Sequence, residues 1–466
     1  MRAPMVRHST GATSTGTMTI STLRLSSPIA ALLSVTVLLA GCASYRTRDL
    51  NLRPSLHSTL GRIVHVLPDG RSIDPTSALT PQAIAALAVL NDPALVAARA
   101  QRSVARAQVF AMGLLPDPNL QGGFGALLGG PAVAPSVAGS ITQDLASLIT
   151  RGARLRAARA RDGEVAANVM WQEVQVASQA ETLATALWAD RRSLAALDRA
   201  RRALRLLSDD ARRQLAAGNL TIDQASAAAA SLAGIDAARD NAAQQELTDQ
   251  AALAALLDVT PDAPIRLTRP VIPPVVVDHL VATLAERRPD LIALRYGYQA
   301  ADADLRAAIL AQFPLLSLSV SGGSDTSRVA TVGPSISLNL PVFNGNRGAV
   351  AVARATRRQL HEAFTAALTA ARGGAIAARQ ALALLNHERH AALARQAEAD
   401  RAVSKALPAY RARLIDARTE TDLIDQQALR RTEVIALEQK IAAGRIALAT
   451  LLGAGLPLVT IKGEVR

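Results

Sequence analysis

The run RGARLRAARARDGEVAANVMWQEVQVASQAETLATALWADRRSLAALDRARRALRLLSDDARRQLAA, residues 151–217, decides the architecture. It lies in a stretch from Ser136 to Thr260 that contains no proline and only five glycines, at 139, 152, 163, 218 and 234. Ala, Leu, Arg, Gln and Glu, all strong helix formers, fill it. The spacing predicts one continuous helix over 151–217, about 100 Å long at ~1.5 Å per residue. No compact domain holds a rod of that length. Leu187, Leu194, Leu197, Leu204 and Leu215, with Ala211 in step, recur at a coiled-coil interval. Asp190 and Arg201 break the heptad, so the seam is not a simple dimer zipper.

Half of the 466 residues are hydrophobic, 2% are aromatic, and the net charge is +13. The positive charge is almost all arginine, since lysine occurs only at 405, 440 and 462. A basic chain raises the question of nucleic acid. Here the arginines alternate with Asp and Glu on helix faces, without a basic cluster or aromatics for stacking, so nucleic-acid binding is set aside. With one cysteine, Cys42, no intrachain disulfide can form.

Residues 29–40 form an apolar run too short to span a membrane, preceded by arginines and by no acidic residue, as in a secretory signal over residues 1–41. Its end, Leu39-Ala40-Gly41-Cys42, resembles the bacterial lipoprotein box. That resemblance implies cleavage before Cys42 and acylation of its thiol. Ala43, in place of an aspartate, points to the outer membrane, and Met18 is an alternative start. Residues 42–79 carry Pro54, Pro68 and Pro75 and read as an extended arm.

The chain is written twice. Asn91-Asp92-Pro93-Ala94-Leu95 resembles Arg287-Arg288-Pro289-Asp290-Leu291, Ser140-Ile141-Thr142 resembles Ser335-Ile336-Ser337, and Leu256-Leu257 resembles Leu451-Leu452. Near the end of each long helix, residues 213–218 align with 412–417 and Asp223 with Asp422. Each half therefore reads helix, strand, strand, very long helix, turn, helix. The first half (80–267) has a helix over 81–115, strands near 119–127 and 136–144, and helices over 151–217 and 220–257. The second (278–458) has strands near 315–321 and 335–340 and helices over 348–416 and 420–452. A proline-rich connector (268–277) joins the halves and a tail (459–466) follows. The lengths suggest that one long helix packs against two shorter ones laid in line. Pro408 should kink or break the second long helix.

Leu316-Ser317-Leu318-Ser319-Val320-Ser321 and Ser335-Ile336-Ser337-Leu338-Asn339-Leu340 put apolar residues on one face and small polar ones on the other. A half-buried soluble sheet and a transmembrane barrel share that alternation. Paired strands, Gly- and Ser-rich connections over 125–135 and 322–334, and the lipoprotein signal favour the barrel, although aromatic girdles are missing. Four strands cannot close a barrel, and open edges in lipid leave backbone groups unsatisfied. Several chains must then share one, in a closed ring.

Residues 80–458 thus resemble the TolC-type outer-membrane efflux family. The resemblance implies a mainly α, internally duplicated fold and a homotrimer. Each chain gives four strands to a shared transmembrane β-barrel in outer-membrane lipid, continuous with a long periplasmic α-helical coiled-coil barrel. It implies a channel rather than an enzyme, without a cofactor or metal. As partners it implies a periplasmic adaptor and an inner-membrane resistance–nodulation–division pump for drugs or heavy metals. The segment Ala417-Arg418-Thr419-Glu420-Thr421-Asp422-Leu423-Ile424-Asp425 is similar to the family's periplasmic aperture, which assigns that role to Arg418, Asp422 and Asp425. Gly218, Asn219, Leu220, Thr419 and Glu420 are assigned to adaptor contact at the tip. Ala417 stands where the family often has glycine.

The residues agree with that assignment. Asp422 and Asp425, three apart, share a helix face, and three copies would ring a pore with six carboxylates that favour cations. A helix N-terminus stabilising the same acids is the alternative. Two rival functions stay open, a type I protein secretion duct and a lipid-anchored periplasmic coiled coil without a pore. His387 and His390 have the wrong spacing for His-Glu-x-x-His zinc chemistry, and the glycine-rich stretches lack the Lys-Ser/Thr of a phosphate loop.

Overall fold

A computed structural model of the chain describes residues 45–53, 55–126, 128–129, 134–313, 315–340 and 343–461. The signal segment and Cys42 lie outside the described residues. The chain divides into two units, Met1–Ser55 and Leu56–Arg466. In the first, the described residues are exposed and without regular structure.

The helices of the second unit are α1 (Pro81–Asn91), α2 (Pro93–Gly113), α3 (Ala146–Ala216), α4 (Ile222–Leu256), α5 (Asp278–Ala282), α6 (Leu284–Arg287), α7 (Pro289–Leu310), α8 (Arg347–Arg411) and α9 (Ala417–Leu452). Its strands are β1 (Asn119–Gly125), β2 (Ser136–Asp144), β3 (Leu315–Ser324) and β4 (Ala330–Asn339). The 71 residues of α3 make a helix of roughly 107 Å, and the 65 of α8 one of roughly 98 Å.

The helix expected over 81–115 is two helices bent by 51°. The cause is Asp92-Pro93. A residue before proline is pushed out of the helical region, and Asp92 sits at φ −55°, ψ 120°. Its carboxylate accepts from Leu95 N at 2.8 Å, so the break of one helix is the cap of the next. The second repeat breaks in step, with Pro289 opening α7. Pro408 does not break α8. It sits in the last turn, the helix ends three residues later, and Ala412 N donates to its carbonyl at 3.0 Å.

The strands also differ from expectation. β1 stops at Gly125, while β3 and β4 extend to Ser324 and back to Ala330, into the segment read as a loop. Asp325 closes this hairpin by accepting from Ser327 N and Val329 N at 2.8 and 2.9 Å. Pro334 is tolerated because β4 is an edge strand within the chain.

The long helix α3 is the centre of the packing. It touches α1, α2 and α4 of its own repeat and α7 and α9 of the other. Most of the expected heptad positions are its inward side: Leu187, Leu204 and Ala211 are fully buried and Leu197 nearly so, while Leu194 and Leu215 are half buried. Two clusters repeat at a spacing of 195 residues, from Ala180 to Ala375, Leu253 to Leu448 and Leu257 to Leu452. Alanine is the commonest buried residue in the described chain as a whole, so the helices approach closely. Where α3 meets α7, a Cβ on Gly163 would lie 2.8 Å from the Tyr296 ring.

The arm is not loose after Leu56. Leu60 and Ile63 are buried in the first cluster, and short bridges join His57 to Val259 and Leu79 to Leu267. The tail is likewise held, with Val459 N on Glu286 O at 2.8 Å and Ile461 buried.

Pairs of arginine and carboxylate set the register of the α3–α4 seam: Arg191 with Glu246 at 2.9 Å, Arg239 with Asp198 at 2.8 Å, and Arg201 with Asp236. Half exposed, each contributes little alone, under about 1 kcal/mol. The heptad break at Asp190 has a different partner. Burial first, then a hydrogen bond with Asp249 and its charge, then Glu246, push the Asp190 carboxyl up to about 7. Arg191 and Gln245 complete that surrounding, on Glu246 and Asp249 respectively. An acid whose value is raised by folding stabilises the fold when protonated. The contribution is present below about pH 4 and fades as pH rises to about 7. Asp190→Asn should flatten the melting temperature across that window; an unchanged slope would rule the carboxyl pair out as its source.

Candidate functional site

Two regions lie at opposite ends of the long helices. The sheet is at the N-terminal ends of α3 and α8, and two turns are at their C-terminal ends.

The sheet has the order β1-β2-β3-β4, antiparallel throughout. Register fixes its faces, because directly paired residues point the same way. One row runs Leu120, Ile141, Val320, Pro334, and its neighbours are Gln143, Leu318, Ile336 and then Leu316, Leu338. Phe124 and Val137 share that face. The opposite face carries Gln121, Ser140, Thr142, Ser317, Ser319, Ser321, Ser335 and Ser337. Across it the hydroxyls of Ser319 and Ser335 are 2.6 Å apart. The apolar face is uncovered: Leu120 is 77% exposed, Ile336 70% and Val332 81%. Among the described residues, the outer edges of β1 and β4 have no strand partner. A contiguous apolar face of this extent marks an interaction surface. Among the described residues no single helix is long and apolar enough to cross a membrane.

At the other end the two turns have the same backbone. After α3, Gly218 adopts φ +74°, its N–H bonds Leu215 O, and Asn219 N reaches Gln214 O at 2.9 Å. After α8, Arg413 adopts φ +59°, its N–H bonds Tyr410 O, and Leu414 N reaches Ala409 O at 2.8 Å. Both are Schellman closures. Three residues after each, Thr221 caps α4 with a capping box to Gln224, and Asp416 caps α9 by accepting from Thr419 N at 2.8 Å.

This corrects the tip alignment. Gly218 corresponds to Arg413 and not to Ala417, which is already helical, and Asp223 corresponds to Arg418 and not to Asp422. The special position is defined by positive φ, which no residue letter reveals when arginine occupies it. Left-handed geometry costs a non-glycine residue about 1 kcal/mol or more. Arg413→Gly should therefore raise the melting temperature and Gly218→Ala lower it. Shifts of opposite sign would refute the equivalence.

Of the expected tip residues, Gly218, Asn219 and Thr419 are exposed and Leu220 is half buried. Glu420 is not at the surface. It is 5% exposed, because the first turn of α9 packs against the end of α8, and burial raises its carboxyl against the pull of Arg411. Asp422 is exposed, whereas Asp425 is half buried. Burial raises Asp425, a hydrogen bond with Ser231 of α4 lowers it, and the charge of Asp422 raises it. Both lie beyond the first turn of α9, where the helix dipole has faded, and Asp416 is the residue that uses it. Arg418 is 3.9 Å from Asp223, joining the starts of α9 and α4.

Sequence reading missed a further tie. The Tyr410 hydroxyl donates to Asp210 Oδ2 at 2.9 Å, linking α8 to α3 across the repeats one turn above the tip. Asp210 also pairs with Arg213 at 3.1 Å. Burial, then Asp210, push the phenol up to about 12, so it stays a donor at neutral pH. A lone tyrosine near a helix end gives no signal of this in one sequence.

The sequence matches no family model and no curated protein. Solved structures do match. The Campylobacter jejuni CmeC outer membrane channel is 15% identical with a TM-score of 0.68, over 89% of this chain and 95% of that one. The open state of the Neisseria gonorrhoeae MtrE outer membrane channel is 19% identical with a TM-score of 0.66, over 88% and 99%. CusC, in a study of folding and transmembrane channel formation, is 17% identical with a TM-score of 0.68, over 87% and 99%. Over 87–89% of its length, this chain has the fold of these outer-membrane channel proteins.

Proposed function

We propose that the chain is one subunit of a trimeric outer-membrane exit duct in a tripartite efflux system. The observation that carries this reading is the sheet. One face is largely apolar and bare, the other is hydroxyl-lined, and among the described residues two strand edges end without partners. Three such sheets joined edge to edge make twelve strands, which removes every edge and places the serine face around a wet lumen. The four long helix lines beneath each sheet continue as a tube toward the tip.

In this reading Cys42 carries the lipid anchor and the protein resides in the outer membrane of a Gram-negative bacterium. The tips around Gly218, Asn219, Leu220 and Thr419 meet a periplasmic adaptor that couples the duct to an inner-membrane pump. Drugs or heavy-metal ions are the cargo, and the pump supplies the energy. Arg418, Asp422 and Asp425 form the aperture. Asp422 faces the passage directly, and Asp425 works from its half-buried place against α4.

Purified protein in planar bilayers should give stepwise conductances and migrate as a heat-dissociable trimer on gels. A monomer without conductance would overturn the reading in favour of an anchored coiled coil.

A further inference from the structure

The seam between the repeats encloses a pocket of about 230 Å³ where α3, α8 and α9 meet the connector. Trp188, Ile435 and Ile441 give it an apolar wall. Three guanidinium groups line it from three directions, Arg269 on the connector, Arg389 on α8 and Arg445 on α9. A single carboxylate, Glu438, opposes them. It is already divided, at 2.6 Å from Arg192 and 4.0 Å from Arg389. Arg192 is held in turn over the Trp188 ring, 4.7 Å from its centroid.

Among the described residues the other two cations have no acidic partner. Arg445 donates to the carbonyl of Ile272 at 2.8 Å, a neutral partner. Among the described residues Arg269 has no ion pair or hydrogen bond. Like charges gathered in a partly enclosed space repel, and an anion placed among them relieves that repulsion. The planar fork of arginine suits a carboxylate in two parallel bonds. The volume is below that of drug-sized pockets, which limits the guest to a small ion. The indole and isoleucine wall favours one with a flat apolar body.

We propose that this pocket binds a small aromatic dianion, of the benzenedicarboxylate class, with its ring on the Trp188 wall and its carboxylates among Arg269, Arg389 and Arg445. Because α3 belongs to one repeat, α8 and α9 to the other, and Arg269 to the connector between them, the ligand would bridge the two halves of the chain.

The test uses the full-length protein in detergent with Trp171→Phe, which leaves Trp188 as the sole tryptophan. The probe is 5-nitroisophthalate, a dianion whose nitroarene quenches indole fluorescence on contact. Quenching should saturate, weaken about tenfold with Arg389→Gln and about threefold with the more exposed Arg269→Gln. Neutral nitrobenzene should quench only in proportion to its concentration. Linear quenching by the dianion, equal saturation by nitrobenzene, or no change in Arg269→Gln would overturn the proposal. Arg269 has no partner to lose, so that variant serves even if Arg389→Gln fails to fold.

Discussion

Ile336→Arg should strip the protein from the outer membrane. The residue lies on the bare apolar face, between Leu318 and the chain's free edge, 70% exposed. On a lipid-facing barrel wall, an arginine at mid-depth costs about 2–4 kcal/mol, and three copies in one ring feel that cost three times. Ser337→Arg, one residue on, points to the hydroxyl face and should leave assembly intact, since a wet lumen accepts charge. Membrane fractionation and heat-dissociable trimers on gels read both variants. Equal tolerance of the two arginines would mean that the apolar face meets protein rather than lipid.

The second large effect is expected at the tip. Replacing Asp422 and Asp425 by alanine should raise single-channel conductance severalfold and abolish preference for cations, because rings of carboxylates set both in a narrow pore. Asp422 should dominate, since it is exposed, while Asp425 is drawn toward Ser231. Tyr410→Phe should add to the conductance without altering selectivity. It deletes the 2.9 Å bond to Asp210 that ties the two long helices, and adds no charge to the passage. Unchanged conductance and selectivity in the double variant would remove the aperture assignment altogether.

Much of the fold was legible because its signals are periodic. The 3.5-residue leucines of α3 and the two-residue alternation of Leu316–Ser321 need no tertiary context, and a duplicated chain states each signal twice. Features set by single backbone angles were less legible. Asp92 and Pro93 supported a repeat motif, but the letters alone did not show that they end one helix and cap another. The tip failed differently. Matching Asp223 to Asp422 followed residue identity, whereas the turns are equivalent through Gly218 and Arg413, which share a dihedral angle and no chemistry. Glu420 was assigned to the tip with the rest of the family-like segment, and only the packing of α9 on α8 reveals that its side chain is buried.

The small residues along the helix seams constrain shape more than they constrain sequence. Close helix contact asks only that inward positions stay small, and an arginine–carboxylate bond across a seam survives when the two partners trade places. Neither demand fixes an alphabet. Fewer than one residue in five coincides with CmeC or MtrE, yet the fold is the same. For this architecture, the path of the main chain says more than the letters strung along it.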